Sequence, residues 1–267
     1  MSGWFNASGV ISITTDFGHR GPFVGTMKGV ILRRLRSAQL VDLTHEAHVH
    51  WPAEAGFWLE RAYPYFPDGT VHLAVVDPGV GTGRNVLLAL GAGHAFLAPD
   101  NGLLAGVIAR TDAQVYRVDP ERLRPFGIER FSATFHGRDL FAPLAAELAS
   151  GRVSASQIGT LTGDYIPALI EPPTQRGNEI QGIVVTSDHF GNLITNIDEA
   201  LLAGRAVRTV RAAGHRIPFH RTYGDVAPGT LLALINSFGV LEVAAAEQNA
   251  ASALGLSRGG PVVVELA

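Results

Sequence analysis

The sequence predicts an α/β N-terminal domain with a largely parallel sheet, followed by a smaller β-rich domain built as a barrel or sandwich. Two observations predict the first part and one predicts the second. Up to about residue 165, short apolar runs alternate with stretches of helical period, the pattern of strands and crossover helices in a layered α/β fold. The apolar runs carry β-branched residues and end in polar or glycine turns. Beyond a segment rich in proline (Pro167, Pro172, Pro173), only short strand-like runs separated by turn residues remain.

Taken in order, Val10 to Thr14 is a β-branched strand ending in the polar turn Asp16 to Pro22. Val24, Met27, Val30, Ile31 and Leu35 then recur at helical spacing, so a helix runs from Phe23 to near Arg36. Gln39 to Asp42 is a short strand, and Pro52 to Ala62 is a helix with its proline in the first turn. Val71 to Val76, Asn85 to Leu90 and His94 to Ala98 read as strands, and Arg138 to Ala149 as the closing helix. The domains are placed at 1–165 and 179–267, with a linker at 166–178. In the second domain, Ile180 to Thr186, Val207 to Arg211, Thr230 to Ile235, Val240 to Ala244 and Pro261 to Leu266 are the expected strands.

Composition narrows the function. A formal charge of −3 offers no basic stripe for nucleic acid or an anionic membrane. Cysteine is absent, which removes disulfides, thiolate metal sites and a thiol nucleophile. Lys28 is the only lysine, a bias read as genomic. With no leader pattern and no long apolar stretch, the expected location is the cytoplasm.

Ligands of open α/β sheets collect outside the carboxyl ends of the strands. Asp16 follows the first strand there and Asp77 ends the third, in Asp77-Pro78-Gly79-Val80-Gly81. Either carboxylate could hold a ribose diol or simply cap its own turn. The Asp77 to Arg84 stretch resembles the glycine loop of S-adenosylmethionine-dependent methyltransferases, yet a β-like run follows it where that loop needs a helix. His136, just ahead of the closing helix, could be a general base, a ligand or a capping residue. His45, His48 and His50 lack the i, i+4 helical spacing of a zinc site and are read as loop residues; no metal is expected. In the second domain, the turns Asp188 to Asn192 and Asn236 to Gly239 carry groups suited to a purine or an amino acid, and both are also ordinary turn residues.

These pieces appear together in longer segments: TTDFG at 14–18, GPFVGTMKGVI at 21–31, VDLTHE at 41–46 and YFPDGTVHLAVVDPGVGT at 65–82, then FLAPDNGLL at 96–104, TFHGRDLFAP at 134–143, SDHFGNLITNI at 187–197 and INSFGVLEVA at 235–244. The ordered set resembles the S-adenosyl-L-methionine hydrolases (adenosine-forming), the hydroxide adenosyltransferase family related to fluorinase and chlorinase. The resemblance implies a C-terminal β-barrel and a homotrimer whose active sites join one subunit's first domain to a neighbour's second. It also implies an Asp–Arg–His set that handles the attacking water, falling on Asp77, Arg84 and His136. By the same likeness Asp16 holds the ribose, Trp51 supplies apolar contact, and Asp188 and Ser237 bind the methionine ammonium group. Asn192, Asn249 and the backbone of Ala250 read adenine.

The implied reaction is hydrolysis of S-adenosyl-L-methionine to adenosine and L-methionine by displacement at ribose C5′, with neither metal nor cofactor. A halogenase, a methyltransferase and a non-catalytic adenosine binder are the rival readings. The segment between Leu90 and FLAPDNG leaves no room for the fluorinase's extra loop, which favours water as nucleophile. Gly21 and Gln248 depart from the family pattern, at positions that bear on substrate affinity. In the implied reaction Arg84 favours the hydroxide form, His136 accepts or relays the water's proton, and Asp77 either orients these two or accepts the proton itself.

Overall fold

The computed structural model describes residues 5–267. The chain divides into two compact units, 1–170 and 171–267.

The first unit runs β1 (Val10–Thr15), α1 (Phe23–Arg34), β2 (Gln39–Thr44), α2 (Pro52–Ala62), β3 (Val71–Val75), β4 (Val86–Gly91), β5 (His94–Pro99), α3 (Ala105–Thr111), β6 (Gln114–Val118), α4 (Ala142–Ala149), α5 (Ala155–Ile158) and β7 (Gly159–Leu161). Its sheet has the order β2-β1-β3-β5-β4-β6-β7. Helices cover both faces. Met27 and Ile31 of α1 pack with Leu144, Ala145 and Leu148 of α4 on Ile11, Ile13, Leu73 and Val75. On the other face, Ala55 and Leu59 of α2 pack with Val107 and Ile108 of α3 on Ala74, Val76 and Phe96. Burying a side chain of this size contributes roughly 1.5–3 kcal/mol, so these two layers hold the sheet rigid under whatever its strand ends carry.

The sheet is mixed, where the sequence led to a largely parallel one. β1 pairs in parallel with β2 and β3, and β3 with β5. β4 runs antiparallel to β5 and β6, and β6 to β7. The cause is local. Ala92 and Gly93, the only residues between β4 and β5, both have positive φ (50° and 82°). That is the backbone of a tight two-residue hairpin, which forces its strands antiparallel.

Two helices differ from their expected bounds. α1 stops at Arg34, with Leu35 already extended. The expected helix from Arg138 to Ala149 is instead a π-helical turn, Gly137–Phe141, leading into α4. Pro143 has no N–H to give to the preceding turn, and the Ala142 N–H bonds five residues back to Gly137 O.

In the second unit, β8 (Thr174–Arg176), β9 (Glu179–Ser187), β10 (Leu193–Asp198), β11 (Val207–Ala212), β12 (His215–Ile217), β13 (Leu231–Ile235), β14 (Val240–Ala245) and β15 (Pro261–Leu266) form one antiparallel sheet, with the short helix α6 (Ala250–Leu254) beside it. The order β12-β11-β15-β9-β10-β14-β13 curls until its ends approach. Phe219 bridges Ala233, the His220 N–H bonds Ala233 O at 2.8 Å, and the Ala233 N–H bonds Pro218 O at 2.9 Å. The sheet is therefore nearly a closed barrel, which leaves few edge groups open. Within the proline-rich stretch, Ile166 N–H bonds Asp100 Oδ1 in the first unit, whereas β8 pairs with β9 in the second.

Candidate active site

Strand order sets the place. From β1 the chain crosses by α1 to β2 on one side, and β3 lies on the other; α1 and α2 cover opposite faces. The carboxyl ends of β1 and β3 thus flank a topological switch point, where a crevice opens in folds of this kind. Thr15 pairs with Val75, so Asp16 and, one residue further along, Asp77 leave the ends of adjacent strands at its rim.

Asp77, Arg84 and His136 meet there. The chain from Asp77 to Arg84 closes on itself through Val80 N–H to Asp77 O at 3.2 Å and Thr82 Oγ1–H to Gly79 O at 2.7 Å. Arg84 Nε donates to both Asp77 oxygens at 2.9 Å, and Nη2 bonds Asp77 Oδ2 as well. Nη2 also donates to His136 Nδ1 at 3.0 Å, and the guanidinium carbon lies 5.3 Å from the centre of the Phe141 ring. Gly81 allows the two loops to approach: at φ +78°, a Cβ there would come within 2.3 Å of Ala133 O. Burial and the Arg84 charge hold His136 below the ordinary imidazole value, with Asp77 and Asp139 partly offsetting them. An arginine only donates, so Nδ1 must be bare and the neutral ring carries its proton on Nε2.

Asp16 accepts the His50 N–H at 2.9 Å. The turn that supplies this bond continues into Trp51, half-buried at the start of α2, whose N–H bonds His48 O and whose ring meets the His48 ring edge-on at 6.3 Å. His45 is buried, its Nδ1 2.8 Å from Thr15 Oγ1 and its Nε2 3.1 Å from Asp42 Oδ1; it braces the turn that presents Asp16. The three histidines near position 48 thus play separate parts. Among the described residues no group of three or more His, Cys, Asp or Glu side chains converges as a metal site would require. Phe17, Phe23 and Phe135 pack ring against ring at 5.4–6.1 Å, tying the Asp16 turn to the His136 turn. Sequence reasoning missed this cluster, although each phenylalanine stands next to or near a residue it singled out.

The second unit assembles the remaining residues by itself. Asp188 Oδ1 accepts the N–H groups of Phe190 (3.0 Å) and Asn192 (2.9 Å), and Oδ2 accepts Asn192 Nδ2 at 2.9 Å. Gly191, at φ +87°, lets the Asn249 side chain lie where a Cβ would come within 2.2 Å of its Cγ. Asn249 caps α6 through Ser252 N–H at 2.7 Å, and Ala250 is fully buried behind it. Asp188, Asn192, Asn249 and Ala250 are one cluster. Ser237 stands exposed on the turn between β13 and β14. That turn is held by Asn236, which in turn bonds Glu242, a carboxylate 2% exposed in an apolar strand. A lone charge within Val-Leu-Glu-Val-Ala was the available sequence signal for Glu242.

A three-layer α/β unit with an acid–guanidinium–imidazole chain at its switch point, followed by a nearly closed barrel, defines a nucleoside-handling enzyme of two units. Residues 11–159 match the SAM hydroxide adenosyltransferase N-terminal domain and residues 182–263 its C-terminal domain, so the chain belongs to the SAM hydroxide adenosyltransferase family. It is 39% identical over 257 residues, 93% of this chain and 96% of the relative, to the (R)-S-adenosyl-L-methionine hydrolase of Thermus thermophilus. A fluorinase from an Actinoplanes species is more distant, 30% identical with 72% of each chain covered. The crystal structure of an uncharacterized conserved protein from Thermotoga maritima superposes with a TM-score of 0.87 at 33% identity, covering 95% of this chain and 99% of that one. Among the described residues no helix is long and apolar enough to cross a membrane.

Proposed function

We propose that this protein hydrolyses S-adenosyl-L-methionine to adenosine and L-methionine, and that Asp77, Arg84 and His136 deliver the nucleophile to ribose C5′. The hydrogen-bonded chain from Asp77 through Arg84 to His136, with Asp16 at the end of the adjacent strand, is the observation that carries this reading. Hydroxide forms the new C5′–O bond while the C5′–S bond breaks and its electron pair leaves with sulfur. The sulfonium departs as a neutral thioether, so no acid is needed, and neither a metal nor a cofactor takes part in any step. Charge is neutralised along the reaction path, and excluding water strengthens the attraction that drives it.

The His136 tautomer decides the roles. With its proton on Nε2, the ring offers a donor to the incoming oxygen, which stabilises hydroxide over water. The Arg84 cation favours the same ion. Asp77 is spent on two Arg84 nitrogens and serves to orient it. The water's proton, held very tightly in bulk, is therefore lost to solvent as hydroxide is captured, rather than passed to His136 or Asp77.

In this reading Asp16 grips the ribose diol and Trp51 packs nearby. Asn192, Asn249 and the Ala250 backbone recognise adenine, and Asp188 and Ser237 take the ammonium group. As the family likeness implies, we take the protein to be a homotrimer in which a neighbour's second unit completes each site. The sulfonium is stereogenic, and the epimer in the names of the hydrolases to which the chain is similar, (R), is the expected substrate.

The test is incubation of each sulfonium epimer in oxygen-18 water, followed by mass spectrometry. Label in the adenosine 5′-hydroxyl supports the reaction and the carbon attacked. S-adenosylhomocysteine as product, or no turnover of either epimer, would overturn it.

A further inference from the structure

We propose that Glu242 is a positioning residue for the amino-acid end of the substrate, fixing the Ser237 turn and Tyr223 so that this part of the barrel, which also carries Asp188, selects a substrate bearing an α-ammonium group. The inference rests on the reading above and names a residue that reading does not use. Glu242 sits in β14 between Leu241 and Val243, all three almost fully buried. A carboxylate in such surroundings persists only when its oxygens are satisfied. Tyr223 Oη–H donates to Oε1 at 2.6 Å and Asn236 Nδ2 to Oε2 at 3.2 Å.

Each donor extends the influence of Glu242 toward the site. The Asn236 Oδ1 accepts the N–H groups of Phe238 (3.0 Å) and Val240 (3.3 Å), which closes the loop that displays Ser237. Asn236 can do this only in the amide orientation that points its Nδ2 at Glu242. Tyr223 is exposed, on a short turn capped by Thr222 and Asp225, while its hydroxyl bonds the buried Glu242.

Asp188 lies in the same part of the barrel: Ser187 pairs with Leu193 and Leu193 with Val243, which sets Asp188 two strands from Glu242. Burial pushes both Glu242 and Tyr223 above their ordinary ranges, and the Asp188 charge adds to each. The partners of these two carboxylates are neutral donors, and among the described residues neither has a basic group within ion-pair distance. Two carboxylates facing one region of the barrel with no cation between them repel weakly, and a ligand that brings a positive charge relieves the repulsion. An ammonium group near Ser237 is such a ligand. A sulfonium nucleoside without the amino acid gains nothing from this corner, so the pair acts on specificity.

The experiment compares S-adenosyl-L-methionine with 5′-deoxy-5′-(dimethylsulfonio)adenosine, which keeps the reacting carbon and sulfonium and lacks the amino acid. In Glu242→Gln the preference for S-adenosyl-L-methionine, as a ratio of kcat/KM values, should fall about tenfold, mostly through KM. Tyr223→Phe, which removes one hydroxyl, should shift it the same way by a smaller factor, and stands in if the first variant fails to fold. An unchanged ratio in a folded variant would overturn the proposal while leaving the hydrolysis intact. Failure of the unaltered protein to turn over either compound would instead sink the reaction itself.

Discussion

The Arg84 guanidinium donates to His136 Nδ1 across 3.0 Å while its other edge is held by Asp77, so one side chain fixes both the place and the tautomer of the imidazole. Lysine keeps the charge and loses this reach, because a single ammonium cannot grip a carboxylate along one edge and an imidazole along another. Arg84→Lys should therefore lower kcat by about 10²–10³, the scale of losing one transition-state donor, and change substrate affinity little. Chromatographic measurement of adenosine release separates kcat from KM. Equal kcat in the two proteins would remove the tautomer-setting role.

The same contact predicts an acid limb. Burial and Arg84 hold His136 below the ordinary imidazole value of 6.5, so it is neutral at pH 7. Protonation would place an N–H on Nδ1, opposite the Arg84 donor, and break the bond. Because the value is lowered, the working form is intact above 6.5 and is lost only as pH falls through the shifted value. Capture of hydroxide makes kcat fall with falling pH on its own account, so in a plot of kcat against pH the His136 limb should appear as a steepening of that fall that begins below 6.5. A steepening that begins above 6.5 would assign the limb to another group.

Asp16 should act on binding alone. It accepts the His50 N–H and has room for further donors on its two oxygens, as a ribose diol supplies. Asp16→Ala should weaken adenosine binding by about 10²–10⁴-fold, the cost of two lost hydrogen bonds to a charged acceptor. Calorimetry with adenosine reads this directly, without turnover. Unchanged affinity would leave Asp16 as a brace for the His50 turn.

What the sequence made legible follows from period and from order. α2 was readable to the residue because Pro52 opens it and its apolar positions repeat. Asp16 and Asp77 were legible as strand-end acids, but the switch point between them is a property of strand order, which no single segment encodes. The parallel character of the sheet was overstated because Ala92-Gly93 lacks the usual hairpin dipeptide, and its positive φ values appear only in three dimensions. β10 was missed as a strand because Asn196 and Thr195 interrupt its apolar run; the Thr195 hydroxyl is satisfied inside the barrel by Leu241 O at 2.8 Å. Glu242 was hidden for a related reason: its partners lie 19 and 6 residues away, on turns of no obvious pattern.

Gly81 offers a test of the approach between loops, apart from any reacting group. Its φ of +78° is one that an L-residue adopts at a cost, and a methyl group would press to within 2.3 Å of the Ala133 carbonyl oxygen. Backbone on both sides leaves no flexible side chain to yield, so Gly81→Ala must push the Asp77–Arg84 loop away from the loop that carries His136. Strain of this kind costs about 1–3 kcal/mol in stability. A shift of about 1 Å in a positioned nucleophile can cost about 10² in rate. Turnover should thus fall further than stability alone explains, with adenosine binding through Asp16 largely kept. Thermal unfolding, calorimetry and kcat on one preparation give the three readouts. A variant that loses stability yet keeps full kcat would show that the Arg84–His136 contact is dispensable for the chemistry.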